Sequence, residues 1–191
     1  MTNSQNNIDW FRHTAPYIKA HRGKTFVVYL GNGVMSHPDF TTLIHDLALL
    51  HSLGVKLVLV HATREAISNS LSAKGGKEIF YQGTRITDDK TLSIAVKAAA
   101  HQRIRLEQMM SMGLPNTPLR GARIRVMSGN FITARPIGIH DGQDFLHTGS
   151  VRRIDVTGVL DIINKDSIAV ISPLGYSPAG ELFSLSATEV A

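Results

Sequence analysis

Apolar residues recur along the chain in two periods, and the switching between them lays out the fold. Phe11, Ala15 and Ile18 fall at i, i+4 and i+7, with Ile8 one turn earlier, which predicts an amphipathic helix over residues 8–21. Pro16 lacks an N–H and crowds the turn before it, so a kink is expected there. Residues 1–7 are polar and read as a disordered leader. Thr25-Phe26-Val27-Val28-Tyr29-Leu30 is a near-continuous apolar run, the pattern of a strand buried on both faces of a parallel sheet. Gly31-Asn32-Gly33 breaks it.

The helical period returns over residues 39–53, with Phe40, Leu43, Ile44, Leu47 and Leu50 on one side and Gly54 placed as a C-cap. A second apolar run, Val55 to Val60, completes a βαβ unit. A helix over 64–74 stops at Gly75-Gly76, a hairpin over 79–87 turns at Gln82-Gly83, and a long helix runs from about Asp88 to Met112 with Asp88 or Thr87 as its cap. Residues 122–127 alternate as a half-exposed strand. Phe131–Ile137 and Thr148–Ile154 read as extended pieces around the Asp141-Gly142-Gln143-Asp144 turn. Helix 156–164, strand Ser167–Ile171 and a short strand Glu181–Leu185 follow. Ser186-Ala187-Thr188-Glu189 has the form of a capping box, so a helix is expected to start there and, with the chain ending at Ala191, to belong to a longer protein. The whole reads as an α/β fold of three layers, helices on both sides of a mainly parallel sheet, with a β-hairpin excursion.

Composition narrows the chemistry. With 191 residues there is room for one α/β domain. No cysteine is present, which removes disulfides, thiolate metal sites and a cysteine nucleophile. The start of the chain has neither the basic patch nor the apolar run of a signal peptide, and no apolar stretch reaches the ~20 residues of a membrane span. A cytoplasmic protein with no membrane partner is expected. The net charge is +5. The basic residues are scattered, with local groups at Arg103/Arg105, Arg120/Arg123/Arg125 and Arg152/Arg153, and none interleaves with aromatics. That describes a solvated surface or a site for small anions, not a nucleic-acid interface.

Several motifs come close and fail. Gly31-Asn32-Gly33-Val34-Met35-Ser36 follows a strand, but no acidic residue stands after the second strand to hold a ribose; a glycine loop able to meet an anion is what remains. The histidines have no tight ligand spacing, so no metal site is expected. Arg135-Pro136-Ile137-Gly138-Ile139-His140 is the nearest match to a coenzyme A pyrophosphate loop, yet Pro136 removes a donor such a loop uses, and it reads as a strand end.

Taken together, several blocks resemble the arginine-pathway branch of the amino acid kinase family: Phe11–Ile18 with His21–Val28, Leu49–Val55 and Thr84-Arg85-Ile86-Thr87-Asp88. To these add Asn116-Thr117-Pro118-Leu119, Ser128-Gly129-Asn130-Phe131 and Arg152-Arg153-Ile154-Asp155. The likeness covers roughly residues 10–191 and is specific to the bacterial N-acetylglutamate synthases, whose kinase-like domain this chain resembles in its N-terminal part. The resemblance implies residues 8–21 as an interface helix and 22–191 as the N-terminal lobe of a kinase-like domain. It also implies a homo-oligomer formed through that helix and a ligand such as arginine or an acetylglutamate-like molecule. Tyr17 matches a tyrosine that joins the arginine site in relatives, Arg85 matches the arginine that reads a substrate carboxylate, and Gly31 and Asn32 belong to the glycine loop. Acetyl-CoA is implied for a full-length synthase and no cofactor for this chain.

Three departures set the chain apart from the family's kinases. Their K-L-G-G lysine is Tyr29, which brings no positive charge to a phosphoryl transition state. Their glycine loop after the second strand is Ala62-Thr63-Arg64, and the aspartate closing their N-x-N-x-D is missing from Ser184-Leu185-Ser186-Ala187-Thr188. No catalytic residue is therefore assigned. Two other readings stand beside this one: a free-standing module that docks on a related synthase or kinase, and an acetylglutamate-kinase-like enzyme in which Lys24 or Arg64 replaces the lost lysine. Lys24 lies roughly 16 Å from Tyr29 along an extended strand, too far to substitute.

Overall fold

The computed structural model describes residues 2–111 and 124–191, the side chains of residues 2–8 and Phe11 excepted. The Asn116–Leu119 block and Arg120 and Arg123 lie outside the described residues. In chain order the elements are α1 (Thr2–His21), β1 (Thr25–Leu30), a 3-10 turn (Val34–Ser36), α2 (Phe40–Ser52), β2 (Lys56–His61), α3 (Arg64–Ala73), β3 (Phe80–Tyr81), β4 (Thr84–Arg85) and α4 (Asp89–Ser111). There follow β5 (Arg125–Met127), β6 (Ile132–Pro136), β7 (Ile139–His140), β8 (Gln143–Asp144), β9 (Gly149–Ile154), α5 (Val156–Ile163), β10 (Ser167–Ile171), β11 (Leu174–Tyr176), β12 (Leu182–Ser184) and α6 (Ala187–Val190).

A parallel four-stranded sheet in the order β1-β2-β10-β5 forms the middle layer. One of its faces carries Leu30, Leu57, Leu59, Ile168 and Val170, which pack on Phe40, Ile44 and Leu47 of α2 and on Leu106 and Met110 of α4. The other carries Val58, Val60, Ala169 and Ile171, covered by Val159, Ile162 and Ile163 of α5. A second, mixed sheet in the order β12-β11-β6-β9 adds Ile132, Ala134 and Phe183 to that side. Two small hairpins, β3–β4 and β7–β8, stand off the layers. Both turn through two left-handed residues, Gln82-Gly83 and Asp141-Gly142, the geometry that matches strand twist. α4 starts where Asp88 accepts the Thr91 N–H at 2.7 Å, and hydrogen bonds from Thr91 hold the Asp88 carboxyl below the usual range.

Three expectations change. First, β1 is not buried on both faces. It forms the edge of the sheet, α5 packs on β2 and β10, and Val27 (53% exposed) and Tyr29 (38%) stay exposed. Second, α1 starts at Thr2 and not at Ile8: no proline or glycine interrupts the run before Pro16, and extending a nucleated helix costs little per residue. The helix also continues through Pro16. Third, the capping box at Ser186 is not closed. α6 does begin there, but the Ser186 hydroxyl bonds Thr188 and the Glu189 carboxylate instead accepts the Val151 N–H at 2.9 Å, tying α6 to β9.

Candidate functional site

Parallel strands of an α/β sheet leave a crevice beyond their carboxyl ends, and a polar cleft lies there. It has a volume of about 300 Å³. Tyr29 and Asn32 reach it from the end of β1, and Ala62, Thr63, Arg64 and Ile67 from the end of β2 and the start of α3. The β3–β4 hairpin contributes Phe80, Gly83, Thr84 and Arg85; Thr87, Thr148 and the segment Ser184–Thr188 close the wall.

Arg85 is held firmly. Its Nη2 pairs with the Glu78 carboxylate and also meets the Ser68 hydroxyl (3.2 Å) and the Arg64 carbonyl (3.3 Å). Its Nε is buried without a partner. The hairpin that carries it is pinned from behind. The Thr148 hydroxyl donates to the Arg85 carbonyl (2.7 Å) and lies 2.9 Å from the Thr87 hydroxyl. The His147 N–H donates to the Thr87 carbonyl (2.9 Å), and the Ser184 N–H to the His147 carbonyl (2.9 Å). Residues 147–148 thus couple the hairpin to β12 across about sixty residues of sequence, and nothing in the local pattern of that segment announces it.

The sequence-derived site residues divide. Arg85 and Asn32 line the cleft, Asn32 also accepting the Glu65 N–H through its side-chain oxygen at 3.4 Å. Gly31 stands next to the cleft without lining it. Tyr17 is on α1, 70% exposed and apart from the cleft. Sequence reasoning missed Phe80, Thr87 and Thr148, and it named Arg64 only as part of the lost glycine loop and as a stand-in for the lost lysine. The position of Arg64 as first residue of a helix after a buried parallel strand was the available signal.

The three segments that depart from the kinase pattern, Tyr29, Ala62–Arg64 and Ser184–Thr188, come from the two ends of the chain and meet around this one cleft. No lysine and no carboxylate lines it among the described residues; its charges are the guanidiniums of Arg64 and Arg85. A magnesium–nucleotide phosphoryl transfer needs carboxylates to hold the metal and organise the catalytic lysines. This lining does not fit that group.

A second cleft, also near 300 Å³, opens beyond β10 and β5 between Arg103, Ser128, Gly129, Asn130 and Ser172. Beside it the fully buried His61 sits 2.9 Å from the Ser172 hydroxyl through Nε2. Burial, with the Arg103 guanidinium as a lesser cause, pushes its pKa down to about 4.

A helix-flanked parallel sheet with a polar cleft at the carboxyl ends of its first two strands is the architecture of an α/β protein of the amino-acid-kinase-like class. Residues 24–191 match the amino acid kinase family, and the chain belongs to it. Among curated relatives, the amino-acid acetyltransferase of Pseudomonas fluorescens (strain SBW25) is 50% identical over 184 residues, 96% of this chain and 42% of the relative. The N-acetylglutamate synthase from Neisseria gonorrhoeae, solved with coenzyme A and L-arginine, matches at a TM-score of 0.88 and 32% identity over 96% of this chain and 43% of that one. Its complex with coenzyme A and N-acetyl-glutamate matches at 0.85. The chain spans less than half the length of these proteins.

Proposed function

We propose that this chain is the kinase-like part of an N-acetylglutamate synthase of arginine biosynthesis, and that it serves regulation and assembly without phosphoryl transfer. The observation that carries this reading is the convergence of Tyr29, Ala62–Arg64 and Ser184–Thr188 on one cleft that, among the described residues, holds neither lysine nor carboxylate. Such a cleft still binds a small molecule, either arginine or an acetylglutamate-like one. It lacks the charges that move a phosphoryl group. Residues 22–191 form the N-terminal lobe of the kinase-like domain. α1 is the element through which copies of the protein associate, and Tyr17 belongs to that surface. Acetyl transfer from acetyl-CoA to glutamate belongs to a further domain of the full-length protein, in the cytoplasm.

The test incubates the pure chain with ATP, magnesium and N-acetyl-L-glutamate and measures ADP release. No release above buffer is expected; steady turnover would return the chain to the kinases. The same preparation, given acetyl-CoA and glutamate, is expected to liberate no coenzyme A.

A further inference from the structure

The chain has a single Asn-Gly pair, Asn32-Gly33, in the loop that follows β1. Both residues are exposed. Such a pair is labile, because the glycine nitrogen can attack the asparagine side-chain carbonyl carbon and glycine has no side chain to block the approach. The fold leaves each participant open. Gly33 has a φ of +78°, and beyond its chain neighbours a Cβ there would meet within 4 Å only a Glu65 carboxylate oxygen, at 3.7 Å. Among the described residues the Gly33 N–H donates no hydrogen bond, so the attacking nitrogen is neither shielded nor committed. The Asn32 Oδ1 accepts the Glu65 N–H at 3.4 Å, while its Nδ2 has no partner among the described residues. Glu65 is the second residue of α3, whose amino end carries partial positive charge. That N–H draws electron density from the amide carbon and stabilises the oxyanion that forms on attack.

We propose that Asn32 is a site of spontaneous modification, converting to aspartate and isoaspartate with loss of ammonia. The bond from the Gly33 nitrogen to Asn32 Cγ forms and the Cγ–Nδ2 bond breaks. The Gly33 amide proton passes to solvent, and the departing nitrogen takes up a proton and leaves as ammonia. Water then opens the resulting ring at one of its two carbonyls. Opening at Cγ restores the ordinary main chain with an aspartate side chain; opening at the Asn32 main-chain carbonyl leaves isoaspartate. Water is the only co-reactant and nothing is oxidised or reduced. The consequence falls on the cleft, which Asn32 lines together with the exposed Arg64. Conversion sets a carboxylate on a wall that has none among the described residues, beside the guanidiniums of Arg64 and Arg85. The proposal does not rest on the cleft being a ligand site.

Asn69-Ser70 supplies the internal contrast. Serine is also a small follower, but Ser70 stands inside α3, where its N–H belongs to the helix ladder and its nitrogen is held away from the Asn69 side chain. The test ages the 191-residue chain in mildly alkaline buffer, folded and in urea, and follows each asparagine by peptide mass mapping. In the folded chain Asn32 is expected to convert at least about tenfold faster than Asn69, since ring closure needs the nitrogen in a near-attack position. The converted peptide is expected to separate into two chromatographic forms, aspartate and isoaspartate. Conversion of Asn32 in urea but not in the folded chain would show that the fold shields it, and overturns the proposal. Equal rates at Asn32 and Asn69 in the folded chain also overturn it, as does a single aspartate form, which marks direct hydrolysis without the ring.

Discussion

The Nε2 of His61 lies 2.9 Å from the hydroxyl of Ser172, joining the last residue of β2 to the residue that follows β10. The two strands are hydrogen-bonded neighbours, with Val58 opposite Ala169, so the pair closes the carboxyl end of the sheet between the two clefts. The imidazole is fully buried and is therefore kept neutral.

That burial makes a prediction about acid. In the unfolded chain His61 takes up a proton near its ordinary value of 6.5, whereas in the folded protein it does so only at about 4. As pH falls the unfolded state gains its proton first, so stability declines between these two values and levels off outside them. A shift of this size corresponds to roughly 3 kcal/mol. Urea denaturation at a series of pH values should show the decline, and His61→Phe should flatten it. An equally steep curve in the variant would assign the titration to other groups.

Thr148 should matter to the cleft although it is distant in sequence from Arg85. Its hydroxyl is the acceptor and donor that fixes the Arg85 carbonyl and Thr87 from behind the hairpin. Thr148→Val keeps the shape and leaves a buried carbonyl short of a partner, at a cost of about 1–2 kcal/mol. Hydrogen exchange at residues 84–87 is expected to speed up relative to the β1–β2 core. Uniform protection across both regions would show that Ile86, buried beneath the hairpin, holds it without help.

Gly175 marks a close approach within the second sheet. A Cβ there would sit 2.8 Å from both the Ala134 Cβ and a methyl of Leu185. Gly175→Ala should therefore overpack the layer under β11 and cost about 1–3 kcal/mol. Gly138→Ala is a useful contrast, since its Cβ would meet nothing and only its left-handed φ of +80° is strained. Denaturation midpoints should rank Gly175→Ala below Gly138→Ala.

Much of this architecture is legible in the chain because it rests on local pattern. The runs around Phe26 and Leu57, the glycines at Gly54 and Gly83 and the cap at Asp88 each encode an element through nearest neighbours in sequence. What escaped is long-range. The composition of β1 is that of a buried strand, and only its place at the sheet edge exposes Val27 and Tyr29. Glu189 has the spacing of a capping carboxylate, yet the nearby β9 edge offers the Val151 N–H and takes it. β11 was not foreseen, being three residues long and paired to strands from either side of it in sequence. In the cleft, Arg85 was identifiable from its motif. Phe80 gains meaning only once two guanidiniums from separate elements lie against it.

The role assigned to α1 is open to a direct trial. Trp10 (68% exposed) and Tyr17 (70%) are large aromatics left in solvent on a helix whose described half-buried positions are Thr14, Ala15 and Ile18. Aromatics of this kind anchor protein interfaces, since each buries a large area at small conformational cost. If copies of the chain associate through this surface, Trp10→Asp combined with Tyr17→Asp should reduce the mass seen by light scattering to that of one chain. The sheet should stay folded, because β1 starts at Thr25 and its pairing with β2 does not involve α1. A deletion of residues 1–21 should behave like the double variant. If both keep the parent's oligomeric mass, association runs through another surface, and the unpaired outer edge of β1 becomes the next place to disrupt, with Val27→Lys as the probe.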